Sequence, residues 1–298
     1  MKLSPRVREI LQAVFVTILW SISWVLIKRN ISDIPPLLFA GLRYMAAFLV
    51  LSPGLWLARS EVKTLSAVNW RRLVLLGIVY YALTQGFQFL TLTHLDTIPF
   101  SLILNFTPLL VAVFGMIVLG ERLTLWQWTG IFVSLAGVIL YFAPRTFLPG
   151  SGLGYLFAVL TLLSNAGASL IGRSVNRTRT ISPFVVTALS MGVGAVLLLG
   201  AALVVHGLPA LSLRSWGVIL LLAVVNTAFA FLLWNKSLQV LAAVESSIIN
   251  NTMVIQIAVL AWLFLGERLD ALSVAALLLA LAGVVLVTLK RVKTPEEA

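Results

Sequence analysis

Amides, hydroxyls and tyrosines recur at helical spacing inside stretches that are otherwise apolar, and they are the side chains of this sequence with most chemistry to offer. Ser101 and Asn105 would share one helix face, as would Ser247 and Asn251, with Asn250 and Gln256 close by. Tyr81, Gln85 and Gln88 follow the same periodicity, with Tyr80 adjacent. Asn226, Trp234 and Asn235 mark a further stretch, Ser164 and Asn165 another, and Thr17, Trp20, Ser21 and Trp24 align on a fourth. Burying such a group in hydrocarbon without a partner costs roughly 2–7 kcal/mol, so these side chains must face one another or water. Two readings stand. The residues are hydrogen-bonding glue between helices, or Trp20, Tyr80, Tyr81, Gln85, Gln88, Asn105, Asn165, Asn226 and Asn251 line one central amphipathic cavity that binds a solute.

Bond-making chemistry has little to work with. No Asp or Glu lies deep in an apolar stretch, cysteine is absent, and His94 and His206 stand far apart near stretch ends. No nucleophile, acid or base converges, so the sequence predicts neither an enzyme nor a metal or cofactor site. Arg43 is the one internal charge, and it either serves function or bonds backbone carbonyls. Trp56, Trp70, Trp126, Trp128, Trp216 and Trp262 fall near stretch ends and read as an interfacial belt. Trp20, Tyr80 and Tyr81 fall mid-stretch instead, where they can stack on a flat or cationic ligand.

The elements that position these groups follow from composition. Of 298 residues 60% are hydrophobic and 10% charged, with a mean hydropathy of +1.06. A soluble fold would need successive helices apolar all round. A bilayer is crossed by roughly 20 apolar residues in a helix, and such stretches recur at 9–27, 35–58, 70–91, 97–118, 124–142, 152–173, 182–205, 214–236, 244–265 and 270–290. The fold class is therefore all-α integral membrane protein with ten transmembrane helices. Lys28-Arg29-Asn30 follows the first stretch where a signal peptide would have a small-residue cleavage site, so that stretch is expected to be a retained helix. The net charge of +11 comes from basic residues scattered at helix ends, which argues for topology signals and against nucleic acid. Alternate loops hold 15 and 5 Lys and Arg residues, which predicts cytoplasmic termini in a cell inner membrane.

Sliding the chain by 146 residues lays Gly120-Glu121-Arg122-Leu123 on Gly266-Glu267-Arg268-Leu269 without a gap. Leu135-Ala136-Gly137-Val138 then falls on Leu281-Ala282-Gly283-Val284, Ser101 on Ser247 and Asn105 on Asn251. The chain thus divides into residues 1–146 and 147–298, each with five helices, and an odd number inverts the second copy. In the Gly-Glu-Arg-Leu corner the glycine is expected to end one helix and the acid to sit beside the N-terminus of the next. Gly130, Ser134, Gly137, Ala282 and Gly283 give the fifth and tenth helices small faces, read as peripheral scaffold or a dimer surface.

These residues resemble the drug/metabolite transporter superfamily in its ten-helix EamA-type branch of exporters. The resemblance rests on the duplicated corner with its Gly137-Val138 and Gly283-Val284 pairs, on Pro35-Pro36 through Arg43-Tyr44 and Ala46-Ala47, and on Asn105 to Pro108. Met253-Val254 stands where Thr107-Pro108 does, so a proline hinge is expected in one half only. The resemblance implies export of amino acids or metabolites by alternating access through a central cavity of helices one to four and six to nine. Neutral and aromatic amino acids are the expected substrates, with a phosphorylated-sugar or nucleotide-sugar exchanger or a multidrug exporter as rivals. A sugar-phosphate site should need several cavity cations, and Arg43 stands alone. The lack of a deep acid points to a facilitator without proton coupling; Glu245 is the only acid near the route and lies shallow.

Overall fold

The structure, a computed structural model, describes residues 4–30, 34–143, 151–265 and 269–292. Its helical spans are α1 (Pro5–Asn30), α2 (Pro36–Leu57), α3 (Ala67–Leu92), α4 (Ile98–Leu119), α5 (Leu125–Phe142), α6 (Gly152–Asn176), α7 (Pro183–His206), α8 (Leu213–Ser237), α9 (Ala243–Phe264) and α10 (Ala271–Leu289). Among the described residues there is no β-strand, and nine helices, α2 to α10, are long and apolar enough to cross a bilayer. The remaining helix, α1, has 26 residues, enough for about 39 Å at a rise of 1.5 Å per residue. Helix starts follow local chemistry. Ser66, Ser151, Ser182, Ser212 and Asp270 each accept a first-turn N–H, and Pro36 and Pro183 sit where a missing N–H costs nothing. The expected corner at Gly266–Arg268, together with Arg145 and Pro149-Gly150, lies outside the described residues.

Long-range hydrogen bonds establish the arrangement of the two halves. The Arg6 guanidinium donates to the carbonyls of Thr288 at 2.8 Å and Lys290 at 3.2 Å, so the start of α1 and the end of α10 share one end of the bundle, here the termini end. Arg177, just after α6, donates to the Leu119 carbonyl at 2.9 Å, and Gln127, on the first turn of the next helix after Leu119, donates to the Lys290 carbonyl at 3.0 Å, so the end of α6 lies there too. The first helix of one half thus begins where the first helix of the other finishes. The halves are inverted.

Helices α5 and α10 pack antiparallel through their small faces. A Cβ on Gly137 would stand 2.4 Å from the Ala280 nitrogen, and one on Gly283 2.3 Å from the Ser134 nitrogen. The two glycines occupy equivalent repeat positions, so the pseudo-twofold axis passes through this contact. The small-residue stripes are therefore used within one chain. Any association of copies through these helices would engage their outer faces, where Trp126, Phe132, Leu278 and Val285 are exposed.

Candidate functional site

Four helices depart from α-geometry near mid-span, in pairs related by the repeat. Helix α3 widens into a π-helix over Gly77–Leu83 and α8 over Leu222–Phe229. Each is tied by a threonine hydroxyl donating five residues back, Thr84 to the Val79 carbonyl at 2.7 Å and Thr227 to that of Leu222 at 2.9 Å. Helix α4 breaks at Asn105-Phe106 and α9 at Asn251. Pro108 has no N–H for the Leu104 carbonyl, which instead accepts the Thr107 hydroxyl at 2.6 Å. Thr252 does the same for Ile249 at 2.6 Å without any proline. The proline break thus occurs in the first half only, as expected; the second half breaks at the matching position without a proline, where a threonine hydroxyl takes the carbonyl three residues back. π-segments and breaks of this kind cluster at functional sites.

The irregular turns gather an aromatic wall between α1, α3 and α8. The Phe231 ring centroid lies 5.1 Å from Trp20, 5.3 Å from Tyr80 and 5.1 Å from Tyr81, while Trp234 stands 5.1 Å from Trp20. Trp20 donates its indole N–H to the Asn226 carbonyl at 3.1 Å, and the Asn226 amide donates to the Leu19 carbonyl. Trp20, Tyr80, Tyr81 and Asn226 thus form one group. Phe231, its centre, was not picked from the sequence. It occupies the repeat position of Gln85, so the internal alignment carried the signal.

A second group forms where α4, α6 and α9 cross. The Asn251 amide donates to the Asn105 carbonyl at 3.1 Å and Asn165 to the Thr107 hydroxyl at 3.4 Å. Asn105 Oδ1, Ser247 Oγ and Asn250 Oδ1 are buried without a hydrogen-bond partner. Helix α1 bridges to this group, because Gln256 donates to Thr17 at 2.9 Å and accepts from Ser21 at 2.8 Å. Gln85 and Gln88 join neither group by a hydrogen bond; they are half-buried on α3, one to two turns nearer the far end.

The two ends of the bundle differ. At the termini end residues 242–249 are buried without exception, whereas 253–257 on α9 and 101–104 on α4 are half-buried on every face. Buried charges close the termini end. Glu121 Oε1 accepts the Ala243 N–H at 3.0 Å and lies 3.6 Å from Arg173 Nε, and Arg173 donates to the Leu238 carbonyl at 2.8 Å. Glu245 caps its own helix through the Ala242 N–H at 2.9 Å and pairs with Arg6 at 2.6 Å. Glu9 binds Gln12 at 2.9 Å, and Gln12 reaches the Leu233 carbonyl at 2.9 Å. Gly120 does end α4 in the left-handed region, at φ 68°. The acid beside it corrects the expectation: it caps α9, in the other half, while Thr124 and Gln127 cap α5. Burial pushes the Glu121 carboxyl above its ordinary value, with Glu245 adding to the rise and the Ala243 N–H and Arg173 opposing it.

A family model described as the EamA-like transporter family matches residues 7–143 and again 152–289. The uncharacterized transporter YvbV of Bacillus subtilis (strain 168) is 30% identical over 67% of this chain and 64% of its own length. The uncharacterized transporter YoaV of the same organism is 26% identical over 93% of this chain and 96% of its own. An S-adenosylmethionine/S-adenosylhomocysteine transporter of Chlamydia muridarum (strain MoPn / Nigg) is 26% identical over 84% of this chain and 81% of its own. A solved structure titled "Crystal structure of protein" superposes with a TM-score of 0.78 at 21% identity, covering 95% of this chain and 98% of that one. That last likeness concerns the fold alone.

Proposed function

The chain belongs to the EamA-like transporter family, and on that premise we propose that it carries small zwitterionic solutes, foremost neutral amino acids with apolar or aromatic side chains, by alternating access. The observation behind this reading is an aromatic wall joined through α1 to the breaks of α4 and α9, where acceptor oxygens are buried without a hydrogen-bond partner. Asn105 Oδ1, Ser247 Oγ and Asn250 Oδ1 suit a donor-rich ammonium group, and the half-buried rings of Trp20 and Tyr80 suit a flat or apolar side chain, held in place by the buried Tyr81 and Phe231. Asn165, Asn226 and Asn251 hold the frame, and Gln85 and Gln88 line the approach from the far end. The sealed termini end supports a state open on the opposite side, and the excess of Lys and Arg at the sealed end supports a cytoplasmic assignment for it in an inner membrane. Net export then runs down the solute's own gradient, since every acid of the sequence lies at a span end or beyond it.

A second reading has a specific support. The S-adenosylmethionine/S-adenosylhomocysteine relative names solutes that combine an amino-acid head with a flat heteroaromatic ring, and the same wall and acceptors would take them. Proteoliposomes offered aromatic amino acids, S-adenosylmethionine, sugar phosphates and cationic drugs separate these readings. Saturable uptake of aromatic amino acids is expected, with KM raised roughly tenfold in Asn105→Leu as one charge-assisted hydrogen bond is lost. Saturable sugar-phosphate flux with none of aromatic amino acids would overturn the proposal.

A further inference from the structure

Arg43 is the only Lys or Arg in the middle of any span, and its surroundings are chemically incomplete. It is half-buried on α2. Its Nε donates to the Thr227 hydroxyl at 2.6 Å and its Nη2 to the Asn226 carbonyl at 3.3 Å. That carbonyl belongs to the π-segment of α8 and also accepts Trp20. The guanidinium carbon stands 5.9 Å from the Tyr44 ring. Every one of these partners is neutral. Among the described residues no carboxylate lies within ion-pair distance of Arg43, and both Nη1 hydrogens and the second on Nη2 have no partner.

A guanidinium at mid-membrane depth is costly without a counter-charge, and its five donors match a carboxylate two at a time. Stapling the Asn226 carbonyl does not require a charge, because the neutral Trp20 indole already bonds the same atom. Nor is the charge part of the duplicated framework: Leu189 on α7 occupies the equivalent position. We infer that Arg43 binds the carboxylate of the transported solute through its free Nη edge, beside the aromatic wall that takes the side chain. Thr227 and Asn226 act as positioning residues that orient the fork. This deepens the amino-acid reading and rests on it.

The test compares two solutes that differ only in the carboxylate, tryptophan and tryptamine, in proteoliposomes of wild type, Arg43→Gln, Arg43→Lys and Thr227→Val. Arg43→Gln is expected to raise KM for tryptophan roughly 10- to 100-fold while leaving tryptamine unchanged. Arg43→Lys should restore part of the loss, since it returns the charge without the fork. Thr227→Val, which keeps the charge and frees Nε, should raise KM for tryptophan by a smaller factor, and it decides the matter if Arg43→Gln does not fold. Parallel loss of both solutes, or no effect on tryptophan, overturns the inference and leaves Arg43 a staple of the π-segment. If wild type carries neither solute, the amino-acid reading falls by itself. Melting temperature then decides: an acid-dependent shift with indole-3-propionate in wild type that vanishes in Arg43→Gln supports a carboxylate site, and equal shifts or none overturn it.

Discussion

The two halves share their backbone irregularities and differ in the side chains hung on them. The π-segments of α3 and α8, the breaks at Asn105 and Asn251, and the glycines at Gly137 and Gly283 fall at matching positions. At the same time Gln85 and Gln88 of one half face Phe231 and Trp234 of the other in the repeat, Tyr80 matches Asn226, Leu104 matches Asn250, and Leu189 matches Arg43. Duplication kept what bends the helices and lets α5 and α10 cross closely. Divergence supplied one group rich in rings and one rich in amides.

The comparison breaks hardest at the seal. Glu121 reaches from the first half to cap the second, so Glu121→Ala removes the cap of the Ala243 N–H and the carboxylate beside the buried Arg173 and should cost about 3–5 kcal/mol of the sealed state. The chain has no native cysteine, so single cysteines report cleanly. Ile248→Cys should become reactive to a water-soluble thiol reagent in the Glu121→Ala background and stay inert otherwise; inertness in both would show that the seal does not depend on Glu121. A pH signature accompanies it. Burial raises the Glu121 carboxyl above 4.5 in the sealed state, whereas an opened, wetted end returns it to its ordinary value. The sealed state therefore binds the proton more tightly, its advantage being full below the ordinary value and declining as pH rises through the raised one. Glu121→Gln should abolish that dependence of Ile248→Cys labelling.

A smaller effect is expected at the shared scaffold. Gly283→Ala places a methyl against the Ser134 backbone and should lower stability by about 1–3 kcal/mol, whereas Gly200→Ala, with nothing within 4 Å, should be neutral. Melting temperatures in detergent read both, and equal values would deny the close α5–α10 crossing. The smallest effect concerns the divergence itself. Gln85→Phe with Gln88→Trp makes α3 imitate α8. It should leave the stability within about 0.5 kcal/mol of wild type while weakening solute uptake several-fold. Unchanged uptake would show that the glutamines do not line the route.

Much of the frame was legible beforehand, and the reason is visible in particular residues. Apolar runs of bilayer length, prolines and serines at helix starts, and Gly120 before a new span are local signals that need no partner. The two tandem matches at one offset exposed the repeat, and with it the inversion. The site was legible only in composition. Trp20, Tyr80, Tyr81 and Asn226 were recognisable as mid-span polar or aromatic groups and do meet, as do Asn105, Asn165 and Asn251. Phe231 read as one more apolar residue, because what singles it out is the four rings around it, those of Trp20, Tyr44, Tyr80 and Tyr81. The π-turns were invisible, since a side-chain pattern barely distinguishes one extra residue per turn from none.

By itself the sequence determined that this chain crosses a bilayer repeatedly, that it is built twice, and which few side chains could serve chemistry inside hydrocarbon. These follow from hydropathy and periodicity, which sum over neighbours along the chain. Which group answers which was decided by tertiary structure alone. Glu121 caps an amide 122 positions away and Arg43 binds a hydroxyl 184 positions away. Hydrogen bonds act within about 3 Å and are indifferent to separation along the chain, so only packing the ten helices brings such partners into range. That packing also decides which end is closed and which buried acceptor oxygens are left without a partner.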